Sequence, residues 1–357
     1  MAEENAAKKL KTAGPLIGTH NGHFHADEAL AVYLLRLLPV YRDSPLVRTR
    51  DPARLAECHT VVDVGGEYDP ARNRFDHHQR SFSTTFPNHN TKLSSAGLVF
   101  MHFGRAIIAQ HTSLPLDDPG VDLLYEKLYS DFIEALDAND NGISVYDPAA
   151  VSAAGLEKRF KDTGITLSSL VGDFNFADQN GGQQDEDALF EQASKFIGEV
   201  FLRKLRDASS SWLPARSKVG AAYEARKAVH PSGKIMVIEQ SRVPWKEHLF
   251  NFEKEAGGGP EQQVYYVIYP ESADENSKWR VQCVPVAEGS FESRKPLPER
   301  WRGERDENLD KILADESVQA GSPSVPSGAI FVHATGFIGG HQTREGALAM
   351  AVRSLEA

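Results

Sequence analysis

The chain has 357 residues, long for one ordinary domain, and this length predicts two. Hydrophobic residues at 41% and charged residues at 25% describe a soluble globular protein, and a net charge of −11 argues against coating DNA through a general basic surface. The only cysteines, Cys58 and Cys283, exclude a disulfide framework and a cysteine-rich zinc site and predict a reduced, intracellular setting.

Residues 1–14, "MAEENAAKKLKTAG", have no apolar core and carry acids early, so they read as a disordered tail with no clear targeting sequence. No stretch approaches the roughly 18 apolar residues of a membrane span, and no membrane partner is expected. "PLIGTH" then reads as a strand, and "DEALAVYLLRLLP" as a helix with acids in its first turn and Pro39 ending it. "PLVRTRD" and "TVVDVGG" are further strands around a short helical "PARLAEC". "LSSAGLVFMHFGRAIIAQH" and "PGVDLLYEKLYSDFIEALDANDNG" read as two substantial helices, the second between Pro119 and Gly142. This alternation predicts an α/β domain over 15–183, a mainly parallel sheet covered by helices that binds ligands at the carboxyl ends of its strands. Residues 184–229 have helical periodicity and read as a linker. The strand-like "KIMVIEQ", "QQVYYVIYP" and "WRVQCVPV" open a smaller α+β domain over 230–357. It continues through a loop-rich "SRKPLPERWRGERDENL", an exposed loop "ADESVQAGSPSVPSG", a strand-like "AIFVHATGFIGG" and a final helix.

Candidate ligands gather at the ends of successive strands. His25 and Asp27 stand two apart between the first strand and its helix, a spacing that turns both side chains the same way on extended chain, and His20 ends the strand. Taken alone they also fit a histidine-rich turn with Asp27 capping the helix. Asp63 closes an apolar run before a glycine pair. "FDHHQ" sets Asp76, His77 and His78 in a row, and "EALDANDNG" places Asp137 and Asp140 one turn apart. An Asp/Asn-rich helix end is also ordinary turn chemistry. Imidazole mixed with several carboxylates suits Mn²⁺ or Mg²⁺, and more candidates than one ion needs favour two. Downstream, Arg294, Lys295, Arg300 and Arg302 surround Trp301, a pattern that fits either a nucleotide contact or a solvated loop with the indole on the core.

"GTHNGHFHADEALA", "FDHHQ", "DANDNGI", "PLPERWRG" and "FVHATGFIGGHQTREGALAMA" together resemble the DHH phosphoesterase superfamily and, within it, the Myg exonuclease family, from about Gly18 to Met350. The resemblance implies a DHH-type catalytic domain, a smaller DHHA-like substrate domain, and an active site in the cleft between them. It implies a metal-dependent 3′–5′ exonuclease releasing mononucleotides from RNA, active in RNA processing, with relatives in nucleus and mitochondria. Metals held by His25, Asp27, Asp63, Asp76 and Asp137 would generate the attacking hydroxide, and His77 or His78 would stabilise charge or protonate the leaving group. His25 departs from the superfamily's D-x-D first motif, which removes one negative charge. "GFIGGH" resembles the superfamily's glycine-rich substrate element: Gly336, Gly339 and Gly340 would let backbone N–H groups approach an anion, flanked by His333, His341 and Arg344. A small-substrate phosphohydrolase and a metal-stabilised binding protein are the competing readings. The partner expected is an RNA 3′ end or a short oligonucleotide, and nothing in the sequence reports the oligomeric state.

Overall fold

The computed structural model describes residues 14–160, 163–176, 185–320 and 324–357. The tail expected over 1–14 lies outside them except for Gly14. The chain divides into two compact units between Ser209 and Ser210, and both are mixed α/β. No helix among the described residues is long and apolar enough to cross a membrane.

The first unit is built on short strands: β1 (Ile17–Thr19), β2 (Leu46–Arg48), β3 (Thr60–Val62), β4 (Tyr68–Asp69) and β5 (Arg74–Phe75), in the order β2-β1-β3-β5-β4. β2, β1, β3 and β5 run parallel, with Ile17 paired to both Leu46 and Thr60, and β4 returns antiparallel at the edge. β1 and β3 are buried along their whole length, which is why they read as continuous apolar runs. Helix α1 (Ala26–Arg36) crosses from β1 to β2 and α2 (Pro52–Ala56) from β2 to β3. Leu55 and Cys58 cover one sheet face through Val61 and Val64. α1 is buried nearly all round and packs against α3 (Ser95–Thr112) and against the long α8 (Glu186–Asp207). Where α1 meets α8, Tyr33 lies on Gly198, which has no room for a Cβ.

The segment read as one helix over 119–140 is three pieces: α4 (Pro119–Leu128), a π-helical turn (Tyr129–Ile133) and α5 (Glu134–Asp140). The wider turn shifts the phase of the residues after it. Two short helices follow, α6 (Pro148–Ala153) and α7 (Leu167–Gly172). The segment expected to link the domains splits, with α8 in the first unit and α9 (Leu213–Val229) in the second.

The second unit holds β6 (Ile235–Val237), β7 (Tyr266–Pro270), β8 (Trp279–Cys283), β9 (Ala329–Val332) and β10 (Ile338–His341) in the order β6-β7-β8-β10-β9, with only the β6–β7 pair parallel. Strand alternation divides the core in two. Ile235, Val237, Tyr266 and Ile268 face α11 (Asp306–Ala320) and α12 (Arg344–Glu356), whereas Met236, Ile238 and Val267 face α9 and α10 (Lys246–Glu255). Two expectations are corrected. "ADESVQA" is the end of α11, anchored by Leu309 and Leu313 four residues apart, and "AIFVHATGFIGG" is a hairpin, β9 and β10.

Candidate metal centre

β1, β3 and β5 end side by side, and each delivers ligand-type residues at its carboxyl end: His20 after β1, Asp63 after β3, and Asp76 with His77 after β5. The N-terminus of α1 adds His25 as N-cap with Asp27 and Glu28 in the first turn, and α5 ends at Asp140. Ligand atoms of His20, His25, Glu28 and Asp63 lie within 4.8 Å of one another, as do those of Asp63, His77 and His78, and those of His25, Asp27 and Asp140.

Asp63 stands at the middle. Its φ of 58° is left-handed, a conformation that Asp tolerates better than most residues, and the following turn carries its carboxylate between two imidazoles. Oδ1 is 3.1 Å from His77 Nε2, and Oδ2 is 3.4 Å from His20 Nε2. His77 Nε2 is also 3.1 Å from Asp140 Oδ2, and His20 Nε2 is 3.0 Å from Glu28 Oε1. Burial works against charge on Asp63, His20 and His77, but mutual attraction wins: His20 and His77 pull Asp63 down to about 2, and the acids raise both histidines to about 10. Asp27 behaves differently. Burial, then the neighbouring charges of Asp63, Asp140 and Glu28, push it well above its ordinary value.

The donor set fits a divalent cation. Asp27 Oδ2 accepts from the Ser95 hydroxyl (2.8 Å) and backbone (3.3 Å), while Asp27 Oδ1 and Glu28 Oε2 are buried with no hydrogen-bond partner among the described residues. Asp140 sits at a helix C-terminus, where the backbone dipole disfavours negative charge and a cation offsets it. Oxygen and imidazole ligands without sulfur suit a divalent cation.

Two expected ligands are not brought to the cluster. Asp137 is fully buried, with Oδ1 accepting from Ser94 N, Ser94 Oγ and Gly97 N at 2.9, 2.7 and 3.1 Å and Oδ2 from Tyr129 OH at 3.1 Å. It pins the start of α3 to α5, and burial pushes its carboxyl up to about 7 against those donors. Gly97 is required there, because a Cβ would fall on the carboxylate. Asp76 stands behind the cluster. Its Oδ2 accepts from Gly66 N, and its Oδ1 accepts from His78 N and lies 2.7 Å from His78 Nδ1. Its role is to orient His78, whose side chain is 61% exposed and whose pKa Asp76 raises. The sequence reading missed Glu28 as a ligand-type residue, although its place three residues after His25 on one helix face is the available signal, and it missed Ser94 and Ser95.

The cluster opens on a cavity of about 670 Å³, also lined by Lys92, Asn139, Thr166, Ser168 and Ser169. All of these residues belong to the first unit.

In the second unit the glycine-rich element has structural partners. Gly339 and Gly340 lie inside β10, paired on one side with Val281 and Arg280 and on the other with Val332 and Phe331. Their missing side chains leave room for Leu297 and Phe331, and their amides belong to the ladders, not to an open anion nest. His341 is buried, with Nδ1 accepting from Thr343 N (2.9 Å) and Nε2 donating to Pro326 O (3.0 Å). Gly336 takes φ of 74° in the β9–β10 turn, and Arg302 Nε donates to Leu297 O at 2.9 Å. Arg344 pairs with Glu239 at 2.8 Å, and His333 is exposed beside Thr335. Trp301 is core, Arg294 pairs with Glu253, and Lys295 donates to Leu355 O, so this basic strip is largely spent within the fold.

A mainly parallel sheet whose strand ends converge on a histidine–carboxylate cluster defines an α/β protein equipped to bind divalent metal. Residues 16–355 match the model of the MYG1_exonuc family, described as "Uncharacterised protein family (UPF0160)". The chain belongs to this family. It is 50% identical to the human protein named MYG1 exonuclease over 96% of this chain and 86% of that protein, and 43% identical to the Dictyostelium discoideum MYG1 protein over 95% and 96%. A solved pGpG-specific phosphodiesterase, PggH from Vibrio, aligns at 9% identity with a TM-score of 0.28, too low to carry an argument.

Proposed function

We propose that this chain is a divalent-metal-dependent phosphodiesterase of the DHH type, working as a 3′–5′ exoribonuclease in RNA processing. The observation that carries this reading is the buried cluster at three parallel strand ends, with two carboxylate oxygens partnerless among the described residues and an open polar cavity in front of it. The names of the mammalian relatives support it. His20, His25, Glu28 and Asp63 would hold one ion, and Asp27, Asp63, His77 and Asp140 a second. Divalent ions in these places would lower the pKa of an attacking water and offset charge on the phosphoryl oxygens.

The chain's own groups do the rest. Ser95 fixes Asp27 so that its other oxygen faces the cluster, and Asp63 binds both sets. Asp76 holds His78 with its exposed edge toward the cavity, where it can hydrogen-bond a non-bridging oxygen or give a proton to the departing oxygen. Lys92 supplies positive charge, and Thr166 and Ser168 supply neutral donors suited to sugar hydroxyls, while the Ser169 hydroxyl donates to Thr166 O. The net charge of −11 favours a second reading, a short substrate such as a dinucleotide, because a long strand feels the repulsion.

The test is release of mononucleotides from an end-labelled oligoribonucleotide with and without Mn²⁺ or Mg²⁺. We expect metal-dependent release from the 3′ end, and a fall of about two to three orders of magnitude or more in Asp140→Asn. Undiminished hydrolysis in that variant refutes the site, and faster turnover of a dinucleotide than of a long single strand selects the second reading.

A further inference from the structure

Beside the main cavity lies a smaller one of about 220 Å³, and the two share His25, Asp63 and His78. The small pocket is completed by Arg50, two residues beyond the carboxyl end of β2, and by the turn at Gly65 and Gly66. Two arginines leave β2 and have different fates. Arg48 is buried, and its guanidinium donates to Gly22 O and Glu186 O. Arg50 is exposed and, among the described residues, makes no ion pair and no hydrogen bond, although Asp63 and Asp76 line the same pocket.

Those two acids are already engaged. Asp63 faces His20 and His77, and Asp76 is taken by Gly66 N and His78. The groups left to meet a ligand are a guanidinium, an imidazole held by a carboxylate, and the backbone at Gly65, since the Gly66 N–H is given to Asp76. Gly65 and Gly66 have φ of 99° and 67°, which calls for glycine, and nothing stands within 4 Å of where a Cβ would be. A fork of guanidinium donors beside an open turn suits a tetrahedral oxyanion, and the pocket has room for one with a few waters of about 30 Å³ each.

We propose that Arg50, with His78 and the open backbone at Gly65, forms a phosphoryl-binding subsite beside the metal centre. It grips the non-bridging oxygens of the phosphate under attack and retains that phosphate on the nucleoside monophosphate released. The proposal rests on the phosphodiesterase reading and deepens it.

The experiment compares wild type, Arg50→Gln and Arg50→Lys, each loaded with Mn²⁺. Calorimetric titrations follow inorganic phosphate and a nucleoside 5′-monophosphate on the loaded proteins and Mn²⁺ on the metal-free ones, and kcat and KM are measured on an oligoribonucleotide. We expect Arg50→Gln to bind phosphate and monophosphate about tenfold or more weakly, with unchanged Mn²⁺ affinity and circular dichroism. Arg50→Lys should fall between, because an ammonium keeps the charge but not the fork. Phosphate affinity equal to wild type in Arg50→Gln overturns the subsite. Weakening of the monophosphate alone also overturns it, because the contact is then to sugar or base. If Arg50→Gln does not fold, the phosphate affinity of Arg50→Lys decides. Arg50-dependent phosphate binding by a protein that hydrolyses no phosphodiester leaves the subsite standing and removes the phosphodiesterase reading.

Discussion

Asp137 gives its carboxylate to the start of α3 and to Tyr129, whereas Asp140, three residues later, gives its own to His77 at the cluster. Their substitutions should separate cleanly. Asp137→Ala strands two buried backbone donors, Ser94 N and Gly97 N, and should cost about 2–4 kcal/mol in denaturant unfolding. Asp137→Asn keeps an acceptor for Ser94 and Gly97, so it should cost less and leave Mn²⁺ affinity near wild type. Asp140→Asn should do the reverse, with little change in metal-free stability and a large loss of Mn²⁺ affinity. Equal loss of metal in both asparagine variants sinks the division. This pair also marks what was legible in the sequence. Residue type and place at an element's end brought out His20, His25, Asp27, Asp63 and His77, because short strands leave their next residue little freedom. Choosing between Asp137 and Asp140 needed the π-helical turn, and no residue in "YSDFI" announces one. Asp76 was hidden similarly: alternation turns neighbours apart, and only the fold shows that it backs His78.

At the level of elements, helix–helix contact is set by single small residues. Gly198 lets α8 lie against Tyr33 of α1, and Gly198→Ala pushes a methyl into that ring. Overpacking of this kind costs about 1–3 kcal/mol, so the first unit should melt several degrees lower, and an unchanged melting temperature contradicts the packing. A second tie joins α11 to the start of β9. Burial opposes charge on Asp310, but the backbone N–H groups of Ala329 and Gly328 and the Ser327 hydroxyl prevail and hold its carboxyl below the ordinary 3.8. Because the folded value is depressed, this stabilisation is complete above pH 3.8 and disappears as pH falls through the folded value. The stability advantage of wild type over Asp310→Asn should therefore be constant near neutrality and shrink in acid. An advantage that does not change with pH contradicts the tie. The α11 helix was illegible from composition because its acidic, serine-bearing end looks like loop, and only the Leu309–Leu313 spacing marks the buried face. The glycines of β10 misled in the opposite sense. They read as an anion cradle, yet they make room for Leu297 and Phe331 inside a sheet.

Across the whole molecule, each unit has its own five-stranded sheet, and among the described residues every candidate metal-ligand cluster lies in the first. Ion binding should stabilise that unit by linkage, about 2.7 kcal/mol at a hundredfold excess over Kd. For a unit of this size that is a rise of roughly 5–10 °C. Calorimetry should show one transition moving up with Mn²⁺ and back with chelator while the other stays. A shift of the second transition alone would place the metal elsewhere.

Nine of the eleven residues of α1 are buried, from Ala26 to Leu35. A helix enclosed on that scale has almost no neutral substitutions, and its first turn carries Asp27 and Glu28 at the cluster. Inherited changes in its apolar wall, many ångströms from any ligand, will therefore surface as failures of metal loading. Supplementing the growth medium with Mn²⁺ should rescue such variants, a behaviour more often associated with altered ligands than with altered cores.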